Sequence, residues 1–329
     1  MNDETAAGPA PFDPNSPDAP GIPAFLRERV LASYGAGTAA RVLDGYAAAC
    51  GRPVTLRANR LKATAVEIAD ALSDAGIGFA RVPWYEDAFV LADGVRERDV
   101  WELDAYRDGL LYLQSLSSML PPLLLGPRAG ADVLDMCAAP GGKTSELAAL
   151  EPRARVTACE MNAPRADRLA HNLGKLGAMN VQLMRIDARR LDPFFAFDQI
   201  LLDAPCTGSG TFRTGDDRAA GRITDRLLAK VTRSQAALLD RALSALKPGG
   251  ELVYSTCSIL PEENGEQLRA ALRSKRHRGC EIVPLKLDGA WLDGPYGLPL
   301  LPEDEPGTLT VAPTRAFEGF FVAKIRRVR

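Results

Sequence analysis

From Gly109 onward, short apolar segments alternate with segments of helical spacing, and this alternation constrains the fold more than any other feature. Alternating strands and helices are typical of an α/β fold with a doubly wound sheet. The predicted strands are 133–136, 155–160, 181–187, 199–203, 251–256, 281–285 and 317–325, and the clearest helices are 163–176 and 224–246. The sequence therefore predicts one large α/β domain over residues 109–329.

The first third of the chain has a different pattern. Residues 23–108 predict a small α+β domain, with strands at 54–57, 79–82 and 88–91 and a helix at 65–75. Residues 1–22 are rich in proline and acidic side chains. Such a segment buries too little apolar surface to offset its ordering entropy, so we expect a disordered acidic tail.

Composition excludes several classes of protein. No apolar run reaches the length of a membrane span, and the N-terminus lacks the features of a signal peptide. The six cysteines show no metal-binding spacing, and His171 and His277 are the only histidines. We therefore expect a cytoplasmic protein that binds neither a membrane nor a metal ion. We also expect it to act as a monomer. With a formal net charge of −2, nucleic-acid binding would require a local basic patch.

The segment after the first predicted strand of the large domain has the composition of a ligand-binding loop. Its residues are Cys137, Ala138, Ala139, Pro140, Gly141, Gly142 and Lys143. Small residues at the carboxyl end of a parallel strand allow the backbone to approach a ligand closely. A P-loop would need glycine at position 137, and a dinucleotide loop would need three spaced glycines. A tight turn without any ligand remains an alternative for this loop considered alone.

Acidic residues end four consecutive predicted strands: Asp135, Glu160, Asp187 and Asp203. One acid at a strand end is usually a cap or turn residue. Four of them at one edge of a sheet predict a shared crevice instead. Glu160 has the spacing of a carboxylate that binds a ribose diol, and Asp187 is placed to meet an adenine amino group.

Two cysteines, Cys206 and Cys257, follow the fourth and fifth predicted strands in loops rich in Pro, Gly, Ser and Thr. Neighbouring parallel strands would bring both thiols to one edge, where nucleophilic catalysis is possible. A thiolate that adds to C6 of cytosine makes C5 nucleophilic, and a carboxyl group at Asp203 could hold the N3/N4 edge of the base. Cys50, Cys159 and Cys280 are expected to be packing residues.

Five segments resemble the NOL1/NOP2/Sun family of RNA 5-methylcytosine methyltransferases. They are 56–62 (LRANRLK), 109–121 (GLLYLQSLSSMLP), 133–147, 203–210 and 252–264 (LVYSTCSILPEEN), and the ending 318–324 (EGFFVAK) also matches. The resemblance implies a Rossmann-like class I methyltransferase sheet, mostly parallel with its last strand antiparallel. It also implies S-adenosylmethionine as cofactor, bound by residues 137–143, Glu160, Asp187 and Asp203.

The resemblance further implies residue roles and a substrate. Cys257 would be the nucleophile and Cys206 would serve product release; the reverse assignment, as in DNA cytosine methyltransferases, is the competing one. Segments 83–86, 118–121 and 318–324 are most similar to a bacterial branch that methylates small-subunit rRNA, so rRNA is expected before tRNA, with the small ribosomal subunit as a possible partner. A non-catalytic ribosome-assembly factor on the same scaffold is the other alternative. Arg57, Arg60 and Lys62 are the predicted RNA-binding residues.

The chain departs from the family pattern in two places. Similar proteins carry a C-terminal RNA-binding extension, whereas this chain stops at Arg329. Residues 213–222 (RTGDDRAAGR) contain neither the proline nor the tryptophan that the family commonly has there. Both departures leave the cysteine motifs intact and affect only the expected RNA target.

Overall fold

The structure, a computed structural model, describes residues 21–328 and contains two β-sheets. The predicted tail, residues 1–22, lies outside the described residues except for its last two positions. Within the described part, none of the helices has the length and apolar character needed to span a membrane.

The smaller sheet has four antiparallel strands in the order β2-β3-β1-β4. These strands are β1 (Thr55–Ala58), β2 (Phe79–Val82), β3 (Tyr85–Leu91) and β4 (Leu111–Leu113). The sequence predicts the first three. Strand β4 lies beyond the predicted domain boundary at residue 108, so the small sheet includes residues that the sequence analysis assigns to the large domain.

The same part of the chain contains four helices: α1 (Ala24–Ala48), α2 (Ala65–Asp74), α3 (Glu97–Trp101) and α4 (Asp104–Arg107). Helix α2 begins where Thr64 and Glu67 form a capping box, and it buries Ile68 and Leu72. The sequence pattern predicts α2 closely. It does not predict α1, which is interrupted at Gly35, where φ is 66°.

Helix α1 packs on the large domain rather than on the small sheet. Its buried residues Leu26, Val30 and Leu43 belong to one apolar cluster with Ile259 and Leu260. Those two residues follow Cys257 closely in the chain. The helix therefore supports the segment that carries a predicted catalytic cysteine.

The larger sheet has the order β10-β12-β9-β8-β5-β6-β7, and β11 pairs with β12 outside this path. Its strands are β5 (Asp132–Asp135), β6 (Arg155–Cys159), β7 (Val181–Met184), β8 (Phe197–Asp203), β9 (Leu246–Thr256), β10 (Cys280–Ile282), β11 (Leu309–Val311) and β12 (Phe320–Arg327). Strands β5 to β9 are parallel, whereas β12 is antiparallel to β9. The predicted Rossmann-like sheet, mostly parallel with its last strand antiparallel, is confirmed.

Helices cover both faces of this sheet because alternate strand residues point to opposite sides. The helices are α5 (Leu116–Leu125), α6 (Gly142–Leu150), α7 (Ala163–Leu176), α8 (Asp217–Ala220), α9 (Asp225–Ala245), α10 (Gly265–Leu272) and α11 (Gly289–Leu292). Val133 of β5 packs in a cluster with α5 and α6, whereas its neighbour Leu134 packs in a cluster with α9 and α10. Strand β5 lies between β6 and β8, so the strand order reverses at β5. A crevice opens at the carboxyl end of such a strand.

Candidate active site

The loop between β5 and α6 is fixed by its own backbone and by α7. Gly141 has φ 111°, a conformation in which other residues are strained. The carbonyl oxygens of Ala139 and Pro140 accept hydrogen bonds of 2.8 Å from Arg165 and Asn172 of α7. Ala138 and Ala139 are buried. The predicted ligand loop is thus a rigid turn at the crevice.

Asp135 ends β5 and lies buried beneath this loop. The Thr144 hydroxyl donates to Asp135 Oδ2 at 2.7 Å, and the backbone N–H of Cys137 donates to Oδ1 at 3.3 Å. Burial raises the pKa of Asp135 to about 6, although these hydrogen bonds oppose the shift. Desolvation also raises the pKa of Cys137 well above its usual range, and the neighbouring Asp135 adds to the effect. Cys137 is therefore a neutral packing thiol.

Glu160 and Asp187 line one small cavity of 70 Å³ beside the loop. Met136, Ile186 and Leu238 form part of its wall. Carboxylates can accept hydrogen bonds from a ribose diol and an adenine amino group, and apolar side chains can pack against the adenine ring. The residues present therefore fit an adenosyl group.

Both carboxylates have arginine partners in this structure. Arg165 Nη1 lies 3.4 Å from Glu160 Oε2, and Arg189 Nη2 lies 2.6 Å from Asp187 Oδ2. Hydrogen bonds from Arg189 hold the pKa of Asp187 below its usual range. A guanidinium group therefore lies beside each of these strand-end carboxylates, where the sequence predicts hydrogen-bond acceptors.

The two predicted catalytic cysteines meet in a second part of the crevice. Cys206 follows β8 and Cys257 follows β9, and their sulfur atoms lie 3.0 Å apart with neither in a disulfide. The hydrogen bond to Cys257, together with burial, raises the pKa of Cys206 well above its usual range. The raised pKa favours the protonated Cys206 thiol, and either sulfur can be the donor in this contact.

A buried lysine lies beside the pair. Lys143 Nζ is 2.9 Å from Asp203 Oδ2 and donates to the Ser118 hydroxyl at 2.7 Å. Burial alone would lower the pKa of Lys143, but Asp203 and, to a smaller degree, Cys257 raise it. The Ser255 hydroxyl donates to Asp203 Oδ1 at 2.8 Å. Lys143, expected only as part of the cofactor loop, therefore also reaches the cysteine site.

One residue that the sequence analysis does not single out joins the two cysteine loops. The buried Glu263 carboxylate accepts hydrogen bonds from the backbone N–H and hydroxyl of Thr207, at 2.8 and 2.6 Å. It also accepts from the Ser258 hydroxyl at 2.5 Å and from Gln235 Nε2 at 3.1 Å. Thr207 and Ser258 are the residues directly after the two cysteines. The only signal in the sequence was the position of Glu263 inside the motif at 252–264.

A cavity of 670 Å³ opens in front of Cys257. Its wall includes Asp203, Cys257 and Lys143 on the large domain and Thr55 and Tyr112 on the small sheet. Among residues 21–328, no group of three His, Cys, Asp or Glu side chains is arranged to hold a metal ion. Both sheets therefore contribute to the wall of this cavity.

The predicted RNA-binding cluster requires correction, first at Arg57. Its side chain is 0% exposed. Arg57 Nε donates to Gln114 Oε1 at 2.9 Å, and Nη2 donates to the Ser145 hydroxyl at 2.7 Å and to the carbonyl of Gly142 at 3.1 Å. Arg57 cannot contact RNA in this position because helix α6 and strand β4 enclose it. It links the small sheet to the ligand loop instead.

The other two members of this cluster also have internal partners. Arg60 pairs with Glu86 and Asp87. Lys62 Nζ donates to the backbone carbonyls of residues 108 and 175, at 2.8 and 2.7 Å. Arg60 and Lys62 nevertheless remain exposed, so only Arg57 is inaccessible to RNA in this structure.

Comparisons with known proteins give a consistent result. The family model described as "16S rRNA methyltransferase RsmB/F" matches residues 122–326, and an RsmF/B-like ferredoxin-like domain matches residues 22–96. Ribosomal RNA small subunit methyltransferase F of Serratia proteamaculans is 35% identical over 293 residues, which is 87% of this chain and 59% of that protein. The relative of the same name from Escherichia coli is 35% identical over 295 residues, with 87% and 60% covered. The chain thus spans about three fifths of the length of these curated relatives.

Solved structures show the same fold. A methyltransferase homolog from Pyrococcus horikoshii is 35% identical, with a TM-score of 0.74 and coverage of 92% of this chain and 94% of the other. NSun6 from the same organism, solved with SFG, is 22% identical, with a TM-score of 0.77 and coverage of 94% and 99%. The large domain therefore has the class I methyltransferase fold, whose cofactor is S-adenosylmethionine. Glu160 and Asp187 carry the hydrogen-bond acceptors that the adenosyl part of that cofactor would require.

Proposed function

The chain belongs to the 16S rRNA methyltransferase RsmB/F family, and we propose that it transfers a methyl group from S-adenosylmethionine to C5 of a cytosine in RNA. The observation that carries this proposal is the 3.0 Å contact between Cys206 and Cys257 beside the Lys143–Asp203 ion pair. Small-subunit rRNA is the proposed substrate because the curated relatives bear that name.

Cys257 starts the reaction as the nucleophile. Its thiolate is stabilised by the S–H of Cys206 and by the positive charge of Lys143. The sulfur forms a bond to C6 of the cytosine, and the electron pair of the C5–C6 double bond becomes available at C5. The bound cofactor supplies an electrophilic methyl group, which C5 accepts. The base must be unpaired or flipped out of a stack, because C6 is otherwise inaccessible.

Asp203 orients the target base. One carboxylate oxygen accepts from Ser255 and the other lies against Lys143, so the group has a fixed direction at the cavity wall. In that position the carboxylate accepts a hydrogen bond from the exocyclic amino group of cytosine. Uracil has no such donor, so Asp203 also provides discrimination between the two pyrimidines.

Cys206 completes the reaction. Once Cys257 is bonded to C6, its sulfur is no longer anionic, and the interaction that raises the pKa of Cys206 is removed. Cys206 then releases its proton to solvent and takes the proton from C5. The electron pair of that C–H bond restores the C5–C6 double bond and expels Cys257 as a thiolate. The net products are 5-methylcytosine, S-adenosylhomocysteine and one proton in solution.

Product analysis tests this proposal. The purified protein would be incubated with labelled S-adenosylmethionine and small-subunit rRNA, 30S particles or tRNA, and the digested nucleosides would be separated. We expect label in 5-methylcytidine from rRNA, mapped by bisulfite sequencing, and none with Cys257→Ala, which should still bind cofactor. Label in tRNA alone would show that tRNA, and not rRNA, is the substrate. Label in another nucleoside, or activity of Cys257→Ala above a few per cent, would reject the mechanism.

A further inference from the structure

The cavity in front of Cys257 extends to two arginines that the sequence analysis does not assign to RNA. Arg52 precedes β1, and Arg213 follows the short turn Ser209–Thr211 that continues the Cys206 loop. Both line the same cavity as Cys257 and Asp203. Arg52 and Arg213 therefore add positive charge to a wall that also carries Arg96 and Lys143, whereas the buried Arg57 does not line the cavity.

Arg52 is a fixed and incompletely paired cation. Its side chain is 5% exposed, and Nη2 donates to the carbonyl of Phe317 at 2.9 Å. Its Nε and Nη1 atoms are buried without a hydrogen-bond partner. Its carboxylate partner is Glu318, whose Oε1 lies 3.5 Å from Arg52 Nη1. The other oxygen of this carboxylate, Oε2, accepts a hydrogen bond from the Ser115 hydroxyl. A buried charge with unfilled donors produces a strong local potential, because little water screens it.

Arg213 stands in front of this buried charge. Burial lowers the pKa of Arg52, and the charge of Glu318 opposes this shift. The positive charge of Arg213 lowers the pKa of Arg52 further, because the two guanidinium groups repel each other. Arg213 is exposed, and its side chain makes no hydrogen bond or ion pair with any residue between 21 and 328. Arg52 thus has Glu318 as its carboxylate neighbour, whereas Arg213 has no ion pair among the described residues.

The backbone around Arg213 is held in place, which separates it from an ordinary surface arginine. The preceding Phe212 is buried against the ring of Tyr46, with 5.4 Å between centroids. The following Thr214 donates its backbone N–H to the carbonyl of Tyr46 at 3.2 Å. The position of the arginine is therefore set by α1, while its head group is free to bind a ligand.

We propose that Arg213, supported by the buried charge of Arg52, binds a backbone phosphate adjacent to the target cytosine. This inference rests on the proposed function. A flipped nucleotide places its base at Cys257, and its own phosphates must then lie near the cavity. Guanidinium groups bind phosphate oxygens through two parallel N–H bonds, and this contact carries no sequence information. The site thus anchors the nucleotide, while Asp203 reads its base.

Salt-dependent binding tests the proposal. Arg213→Ala would be compared with Arg218→Ala, which removes an exposed arginine from α8 outside the cavity wall. Binding of a single-stranded RNA that contains the mapped cytosine would be measured at several salt concentrations. Loss of one phosphate contact should weaken binding several-fold at low salt and reduce the slope of log K against log salt by about 0.7. Arg213→Lys should recover part of both effects, and Arg218→Ala should match the wild type.

A chemical cycle locates the contact. Replacing either phosphate that flanks the target with an uncharged methylphosphonate should weaken binding to the wild type at one of the two positions. At that position it should have little additional effect on Arg213→Ala. Equal losses in wild type and variant at both positions, or an unchanged salt slope in Arg213→Ala, would overturn the inference. The proposed function would stand in that case if the wild type still forms 5-methylcytidine; if it does not, both fail.

Discussion

Cys206 Sγ lies 3.0 Å from Cys257 Sγ, although the two residues are 51 positions apart and lie on different loops. The contact arises because β8 and β9 are parallel neighbours, with Asp203 paired to Ser255, so both loops leave the sheet at one edge. The raised pKa of Cys206 favours its protonated form, and Cys257 lines the same cavity wall as Lys143.

Glu263 should control this contact. Glu263→Gln replaces an acceptor by an amide whose NH₂ group faces other donors, so at least one hydrogen bond to Thr207, Ser258 or Gln235 is lost. We expect kcat to fall on the order of tenfold or more, with little change in cofactor affinity. The neighbouring Glu262→Gln, which alters an ion pair with Arg29, serves as the control. Equal kcat values for the two variants would show that Glu263 does not position the cysteines.

Glu160 should bind the cofactor. Glu160→Ala removes an acceptor from a formed pocket and should weaken S-adenosylmethionine by about 1.5–3 kcal/mol in titration calorimetry. Asp167→Ala on α7 removes an exposed carboxylate that pairs with Arg185 outside the pocket, and it should bind as the wild type does. If Glu160→Ala binds the cofactor with wild-type affinity, Glu160 only caps the strand end.

Replacing Arg57 or Lys62 of segment 56–62 should affect stability and not RNA electrostatics. Arg57→Met removes three hydrogen bonds to Gln114, Ser145 and Gly142 and should lower the free energy of unfolding by at least about 2 kcal/mol. Lys62→Ala should leave the salt slope of RNA binding unchanged, because its amino group is occupied by backbone carbonyls. A flatter salt slope in either variant, measured where the protein remains folded, would restore these residues as an RNA platform.

Glu146 predicts a defined pH dependence of stability. Burial raises its pKa to about 8, although Arg57 opposes the shift. The folded protein therefore binds this proton more tightly than the unfolded chain, and stability falls as pH rises from about 4.5 to 8. Glu146→Gln removes the titration, so its free energy of unfolding relative to wild type should increase through that window and level off above it. Denaturant unfolding at several pH values checks this, and a pH-independent difference would contradict it.

Most of the fold follows from local pattern. The apolar strands with acids at their ends predict β5 to β8 and their shared edge, and Thr64 with Glu67 marks the start of α2. Helix α1 has no such signal, because Gly35 interrupts it and its buried face is completed by Ile259 and Leu260 far along the chain. Strand β4 also gives no clear signal, because it has only 3 residues and is recognised by its pairing with β1.

Some residues of the site can also be predicted from the sequence, and others cannot. Cys206 and Cys257 are predictable because their loops follow adjacent strands and carry a recognisable motif. Arg57 misleads, because a basic residue in a basic segment gives no sign that a neighbouring sheet will bury it. Arg213 is missed for the opposite reason: its importance depends on Arg52, which lies in another domain and shares only the cavity with it.

The covalent adduct provides the most direct test of the mechanism. Wild type, Cys206→Ala, Cys257→Ala and the double variant would each be incubated with cofactor and substrate RNA and separated by denaturing gel electrophoresis. If Cys257 attacks C6 and Cys206 releases the product, Cys206→Ala alone should accumulate a protein–RNA band of reduced mobility. The band should be absent from Cys257→Ala and from the double variant. A band that persists in Cys257→Ala and disappears in the double variant would contradict the account and reverse the two roles.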